Sequence, residues 1–498
     1  MSIGRETGNG KRETWDATQL AEALRSIAPT ARGITADSRR VERGDVFLAF
    51  PGGVHDGRTH IAHALQAGAA AVAWEPDGFA WDPTWQVPHL PVADLKGKAA
   101  GLAAAWYGQP SEALWMTGIT GTNGKTSVSH WLAQAFTHMG RNTAAVGTLG
   151  NGFPGSMTAA THTTPDAVSL QGLLAHYRNA GATGVAMEVS SHGLDQGRVA
   201  SVAFDVAVLT NLSRDHLDYH GTMEAYAEAK ARLFHWPGLK AAVVNADDDL
   251  GAALAREVKD ARVISYGLKA GDLRAQIQAD RLGLKLEIVS PWGKGRLDSP
   301  LLGQFNAYNL LAALGALLAA DIPMADALAA LATVAPAAGR MQTVSGFAGK
   351  PTVIVDFAHT PDALEKVLAA LKPLTTGRLI CVFGCGGGRD TGKRPLMGAA
   401  VAAGADQAIV TSDNPRNEDP AHIVRDILAG MPAGEAVNQS VILDRREAIH
   451  TAISQADPED IVLLAGKGHE DYQEIHGVKR PFSDLAEAQA ALSQWSRA

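Results

Sequence analysis

The sequence predicts an α/β protein of several domains built on parallel sheets, and three observations predict it. Apolar runs at 206–209, 352–356, 379–383, 407–410 and 461–464 read as buried strands, each followed by a polar or glycine-rich loop. Gly118-Ile119-Thr120-Gly121-Thr122-Asn123-Gly124-Lys125-Thr126 lies between a strand-like run, 114–116, and an amphipathic helix carrying Val128, Trp131, Leu132, Ala135, Phe136 and Met139, with Gly140 as its cap. The length of 498 residues exceeds one hydrophobic core, and 46% hydrophobic with 19% charged content marks a globular chain.

Strand, glycine loop, Gly-Lys-Thr and helix make the layout of a phosphate-binding loop. Glycines let backbone N–H groups close around phosphate oxygens, and the helix N-terminus adds positive potential. Lys125 can reach terminal phosphates and the Thr126 hydroxyl can ligate Mg²⁺. The strict pattern places glycine five residues before Gly124, where this chain has Ile119.

Composition narrows the class. A net charge of −8 argues against a general nucleic-acid binder. Cys381 and Cys385 are the only cysteines, so no disulfide framework is expected and a reducing cytoplasm fits. Residues 1–16 lack an apolar signal core, and the greasiest run, 310–320, is too short to span a bilayer, so no membrane association is expected.

In chain order, 17–27 reads as a helix, 44–50 as a turn and strand, 60–68 as a helix and 70–74 as a strand, a small α/β unit ending near Pro110. Ser38 and Arg39 alone read as turn residues. Thr163-Thr164-Pro165-Asp166 precedes a helix that runs to Asn179, a proline at the first turn after a threonine being a good helix start. The strand 184–188 ends in Glu188, followed by Ser190, Ser191 and His192. A carboxylate there can serve Mg²⁺, or be a plain edge-strand glutamate.

Residues 210–221 carry two aspartates, Asp215 and Asp218, and two histidines, His216 and His220, after a buried strand, the composition of an active-site loop. On the next helix Lys230 shares the apolar stripe of Met223, Tyr226, Ala227, Leu233 and Phe234. Periodicity alone favours a lysine snorkelling along that surface over one held inside a site. Residues 272–299 alternate as a small antiparallel sheet, and Asn306 and Asn309 at the start of the next helix suit capping or base contacts. A linker at 336–340 precedes four strands whose following loops, 357–362, 384–390, 411–416 and 465–470, share one face.

Taken together, 118–126, 188–194, 210–221, Lys230, 356–362, 389–397, 413–416 and 466–470 resemble the Mur ligases of peptidoglycan synthesis, in particular the branch that adds meso-diaminopimelate. The resemblance runs from about Ala36 into the C-terminal region. It implies three domains: 1–111 for the UDP-substrate, 112–338 with a P-loop ATPase-like parallel sheet, and 339–498, Rossmann-like, for the amino acid. It further implies an ATP- and Mg²⁺-dependent amide ligase. Its small-molecule substrates are UDP-N-acetylmuramoyl-L-alanyl-D-glutamate and meso-diaminopimelate, its state a monomer and its location the cytoplasm.

By match of motif, Ser38 and Gly53, Val54 and His55 would touch the uridine nucleotide. Thr163, Thr164, Ser190, Gln196 and Arg198 would hold the muramoyl dipeptide. This chain has His162 where the family often has asparagine. Gly121, Thr122, Asn123, Gly124, Lys125, Thr126, Asn306, Asn309, Arg340 and Asp356 would bind ATP. Thr126, Glu188, His216 and Lys230, the last as a carbamate, would serve the metal, with Lys125, Lys230, Glu188 and His216 catalytic. Arg389, Asp413, Asn414, Pro415, Arg416, Gly466 and Glu470 would form the diaminopimelate pocket. Alternatives are a lysine-adding relative, a folylpolyglutamate synthase-like ligase, or a P-loop switch that hydrolyses nucleotide without ligation.

Overall fold

The computed structural model describes residues 15–53, 55–280, 283–344, 346, 348–431 and 438–496. The chain divides into two compact units. The first comprises Met1–Thr120, Gly140–Ala207 and Ala229–Lys240, and the second Gly121–Met139, Val208–Glu228 and Ala241–Ala498.

The first unit begins with the helix Ala17–Ile27. Asp16 accepts from the N–H of Gln19, whose side chain accepts from the Asp16 N–H in return, so two orphan donors are satisfied. Leu20 and Leu24 face the strands 34–35, 46–49, 71–74 and 89–91, a parallel sheet in chain order. A second group of strands aligns Trp115–Thr120, Gly184–Glu188 and Thr143–Gly147 in parallel, extended by antiparallel Gly150–Phe153 and Ser156–Thr158. The expected helix follows 163–166 and runs to Asn179; Pro165 lies one residue before its N-cap and not in its first turn. Asp166 is the N-cap, its carboxylate accepting from the N–H groups of Val168 and Ser169, and the helix is Ala167–Asn179. A two-donor carboxylate cap outranks a proline, which only pre-sets φ.

In the second unit, Ala241–Asn245 and Arg262–Gly267 run parallel, and Leu273–Asp280, Gly283–Ser290 and Gly293–Ser299 continue as the expected antiparallel meander. The helix Gln304–Ala319 is buried on nearly every side. Gly315 allows its approach to the sheet, because a Cβ there would lie 2.7 Å from Val243.

A six-stranded sheet follows in the order 342–343, 352–356, 461–465, 379–383, 407–410, 438–441, parallel except at its first strand. Pro361–Leu371, Lys393–Gly404 and Pro420–Leu428 cover one face, and Arg445–Ser454 and Asp484–Gln494 the other. The strand Asn438–Val441 and the hairpin Tyr472–Ile475 with Val478–Pro481 carry no clear apolar alternation and were not expected. No helix among the described residues is long and apolar enough to cross a membrane.

Candidate active site

The glycine loop leaves the strand Trp115–Thr120 and enters the helix Lys125–His138 with Gly124 as N-cap. Its glycines are enforced by space and by backbone. Gly121 has φ +141°, and a Cβ there would lie 1.9 Å from Thr210 Oγ1; Gly124 has φ +89°, and a Cβ would lie 2.3 Å from Asn309 Oδ1. Ile119, where the strict pattern has glycine, is a buried strand residue instead.

The loop is clamped by its neighbours. Thr122 N–H donates to the Asn211 carbonyl (2.8 Å) and Asn123 N–H to Asn211 Oδ1 (3.1 Å). The Thr122 hydroxyl lies 3.2 Å from that of Tyr226, and Asp362 accepts from Asn123 Nδ2 and Ser213 Oγ, both at 3.0 Å. Lys125 Nζ donates to the carbonyls of Gly121 and Thr122, each at 2.9 Å, so its ammonium stays at the loop.

This loop borders a cavity of about 610 Å³ that lies wholly within the second unit. Gly124 and Thr126 line it together with Asn306, Asn309, Arg340 and Asp356, which brings these expected residues into one place. Asn306 and Asn309 do not cap their helix, whose N-cap is Gly303. Asn309 Nδ2 donates to Asn306 Oδ1 at 3.0 Å and Asn306 Nδ2 to the Leu302 carbonyl at 2.8 Å. Arg340 reaches the Thr126 hydroxyl at 3.4 Å and lies 4.5 Å over the Phe357 ring. Asp356 takes N–H bonds from Met341 and Ala358, both at 2.7 Å, and burial raises its pKa.

In the first unit a second network forms around Glu188. Its carboxylate accepts from the Thr148 N–H (2.8 Å) and hydroxyl (3.1 Å), and Thr163 Oγ1 lies 3.1 Å from Thr148 Oγ1. Thr164 donates to the Glu188 carbonyl (2.9 Å) and accepts from the Ser190 N–H (3.0 Å). Arg198 donates to the Thr164 carbonyl and, through two nitrogens, to Gln196 Oε1. Thr163, Thr164, Ser190, Gln196 and Arg198 thus lie in one hydrogen-bonded network, and Glu188, expected at the metal, joins it. Ser38 is buried in a three-residue turn beside the Asp37–Arg39 ion pair, and Gly53 and His55 sit on the loop before Asp56; Val54 lies outside the described residues.

Lys230 belongs to the first unit and His216 to the second. Lys230 is only 1% exposed, which overturns the snorkelling reading, since a snorkelling lysine keeps its ammonium in water. His216 adopts φ +55° and its ring lies 3.3 Å from the Asp215 carboxylate.

The loops of the six-stranded sheet converge at the C-terminal ends of their strands. Asp413, Asn414 and Pro415 are buried, and Arg416 takes φ +52°, a rare conformation for a side-chain-bearing residue. Arg416 donates to the Gly387 carbonyl (2.6 Å) and pairs with Glu474 (3.5 Å), not with Glu418 or Asp419. Glu418 is held by Arg394 through two hydrogen bonds, which push its pKa down to about 2. Gly466 has φ +114° with a Cβ position 2.9 Å from Asp413 Oδ2, and Arg389 is exposed on the 384–390 loop. Sequence reasoning missed Lys467, which joins Asn414 and Glu470, and Arg445, whose guanidinium pairs with Asp484 at 2.6 Å and donates to the Ala465 carbonyl.

Family models match the chain in three stretches: "Mur ligase family, catalytic domain" at 30–107, "Mur ligase middle domain" at 119–317 and "Mur ligase, glutamate ligase domain" at 339–468. The UDP-N-acetylmuramoyl-L-alanyl-D-glutamate–2,6-diaminopimelate ligase of Chromobacterium violaceum is 55% identical over 97% of this chain and 98% of its own. The chain belongs to the Mur ligase family. The Pseudomonas aeruginosa ligase of the same name is 53% identical over 93% of this chain and 95% of its own. A solved structure of a 2,6-diaminopimelate ligase of that name superposes with TM-score 0.65 at 39% identity, over 93% of this chain and 95% of that one. Acinetobacter baumannii MurF, at 18% identity and TM-score 0.69 over 97% and 99% of the two chains, shares the fold. As a Mur ligase, the chain is an enzyme of the α/β class expected from its strands.

Proposed function

We propose that this Mur ligase joins meso-diaminopimelate to UDP-N-acetylmuramoyl-L-alanyl-D-glutamate at the expense of ATP, in the cytoplasm and as a monomer. We assign the UDP-substrate to 1–111, ATP to 112–338 and the amino acid to 339–498. The observation that carries the reading is the second unit's cavity, where the glycine loop and helix N-terminus face Asn306, Asn309, Arg340 and Asp356. It has the size of a nucleotide site and the donors for a polyphosphate.

A carboxylate is a poor acyl donor. Transfer of the ATP γ-phosphoryl onto the D-glutamate side-chain carboxylate yields ADP and an acyl phosphate. An amine of the amino acid attacks that carbonyl, loses a proton, and inorganic phosphate leaves. Lys125 would offset charge between the two anions during the first step, and the Gly121–Thr126 backbone would fix the phosphates. The Thr163, Thr164, Ser190, Gln196 and Arg198 network would hold the muramoyl dipeptide, while Ser38 and the 53–55 loop would hold the uridine nucleotide. Arg389, Arg416 and Glu470 would read the charges of the amino acid.

Among the described residues no group of three or more His, Cys, Asp or Glu side chains gathers as a metal cage. Mg²⁺ binds through one or two carboxylates completed by phosphates and water. Thr126, Glu188, His216 and Lys230 would hold it, and it would neutralise phosphate charge. Reaction of the Lys230 amine with CO₂, releasing a proton, would give a carbamate with oxygen donors. Lys230→Ala should then be nearly inactive and partly rescued by short carboxylates. A structure with its ammonium turned to solvent would remove this role.

The experiment that tests the whole reading is phosphate release from ATP with the UDP-dipeptide and a panel of amino acids. Turnover should require the dipeptide and favour meso-diaminopimelate over L-lysine; phosphate release needing neither would point to a nucleotide switch.

A further inference from the structure

Lys467 is the most deeply buried cation in the amino-acid loops, with 0% exposure. Its Nζ donates to Glu470 Oε2 at 2.9 Å and to Asn414 Oδ1 at 3.2 Å, and lies 3.7 Å from Asp413 Oδ1 and 5.6 Å from the centre of the Tyr472 ring. Asn414 Nδ2 donates to the same Glu470 Oε2 at 2.8 Å, closing a three-membered ring of charge-assisted bonds across two loops. Asn414 Oδ1 also accepts the Glu474 N–H at 2.9 Å, which anchors the ring to the 472–481 hairpin.

The chemistry of these atoms fixes an orientation. An ammonium only donates, so it holds Asn414 with its oxygen inward and its amide nitrogen toward Glu470. Both donors meet Oε2, and no described residue hydrogen-bonds Oε1. The carboxylate, partly exposed, therefore presents one bound and one open oxygen. Lys467 itself is too deep to touch a ligand.

We propose that Lys467 is a positioning residue for the amino-acid substrate: by saturating Glu470 Oε2 and fixing the Asn414 amide, it aims Glu470 Oε1 at an ammonium of the incoming amino acid. This rests on the assignment of these loops to the amino acid. A lysine serving only to neutralise buried acids would govern folding and leave substrate affinity alone.

The test uses the full-length chain in steady state, varying ATP, UDP-dipeptide and amino acid separately, for wild type, Lys467→Met, Glu470→Gln and the double variant. Lys467→Met should raise KM for the amino acid roughly tenfold, the scale of one charge-assisted hydrogen bond. KM for ATP and for the dipeptide should stay within about twofold, and kcat at saturating amino acid should change little by comparison. The double variant should bind no worse than Glu470→Gln, because Lys467 acts through Glu470. An unchanged amino-acid KM, or losses that multiply in the double variant, overturns the proposal. If Lys467→Met does not fold by thermal melting, Lys467→Gln, a neutral donor of shorter reach, carries the same comparison. Wild-type turnover with an amino acid other than diaminopimelate overturns the substrate assignment alone, and the KM ratio is then judged with that amino acid. Absence of ATP consumption with every amino acid overturns both.

Discussion

The glycine loop and the loops of the six-stranded sheet lie in the same unit and treat charge in opposite ways. Around 121–126 the polar groups are backbone N–H groups, threonines and asparagines, with Lys125 folded onto carbonyls of its own loop. Around 384–389, 413–416 and 466–470 the polar groups are charged side chains already paired: Lys467 with Glu470, Arg416 with Glu474, Arg394 with Glu418 and Asp426, and Arg445 with Asp484. A backbone cradle suits a ligand that brings many identical negative oxygens. A zwitterionic amino acid needs each charge met at a fixed point, so its loops carry opposed charges held rigid before it arrives.

The comparison is broken most severely at Lys125, the one cation of the cradle. Lys125→Ala should lower kcat about a thousandfold, roughly 4 kcal/mol of barrier, while the folded chain keeps its melting temperature. Near-normal turnover would mean that the backbone groups and Arg340 stabilise the transfer without it. In the charged loops the corresponding deletion should strike stability first. Arg445 and Asp484 are both 0% exposed, so Arg445→Met leaves a buried carboxylate without its partner. The expected cost is about 3–5 kcal/mol, read as a lower midpoint in urea. A double variant, Arg445→Met with Asp484→Leu, should recover much of it; no recovery would mean that the Arg445 bond to the Ala465 carbonyl dominates.

The same contrast explains what the sequence could reveal. The glycine loop was legible because its geometry admits only glycine at two positive-φ sites, and such constraints leave a local spacing. The parallel strands were legible as apolar runs. Lys467 was not, since Gly-Lys-Gly reads as a solvated turn and its hydrogen-bond partners Asn414 and Glu470 lie 53 and 3 residues away. Periodicity alone favours snorkelling for Lys230, and only the resemblance points to a site, because helical periodicity reports which face a residue occupies, not whether its tip reaches water. Arg394 and Arg445 sit on helices at positions that look like ordinary surface charge, and only the tertiary fold buries them.

Arg416 sharpens the comparison at a smaller scale. It is about a quarter exposed, at 28%, and its partner Glu474 is 3.5 Å away, so it is positioned but not fully sequestered. A distal carboxylate on the amino acid could compete for it. Arg416→Ala should lower kcat/KM for meso-diaminopimelate by roughly ten- to a hundredfold, about 1.4–2.8 kcal/mol, and leave ATP and dipeptide KM values in place. Steady-state selectivity between meso-diaminopimelate and L-lysine checks it, and an unchanged ratio in the variant would show that this loop does not read the second carboxylate.

The smallest effect is expected where the two regions meet, at His469. Its ring lies 5.4 Å from Phe357, which Arg340 covers from 4.5 Å, and a Cβ on Gly339 would lie 2.2 Å from the His469 backbone nitrogen. Burial pushes the His469 pKa down to about 4, reinforced by Arg340, His130 and Lys467 and opposed by Asp471. The unfolded chain takes up a proton near pH 6.5 that the folded chain refuses until about pH 4. In that window the unfolded state binds more protons, so stability rises with pH and this contribution is lost as pH falls from 6.5 towards 4. His469→Gln removes the titration. Melting temperatures of variant and wild type, compared from pH 7 to 4, should therefore converge or cross in the variant's favour as the pH drops. His359, whose pKa burial also lowers, is present in both chains and cancels in the difference. Parallel curves would mean that the imidazole is already solvated where the nucleotide cavity adjoins the amino-acid loops. The paired charges would then stop short of His469.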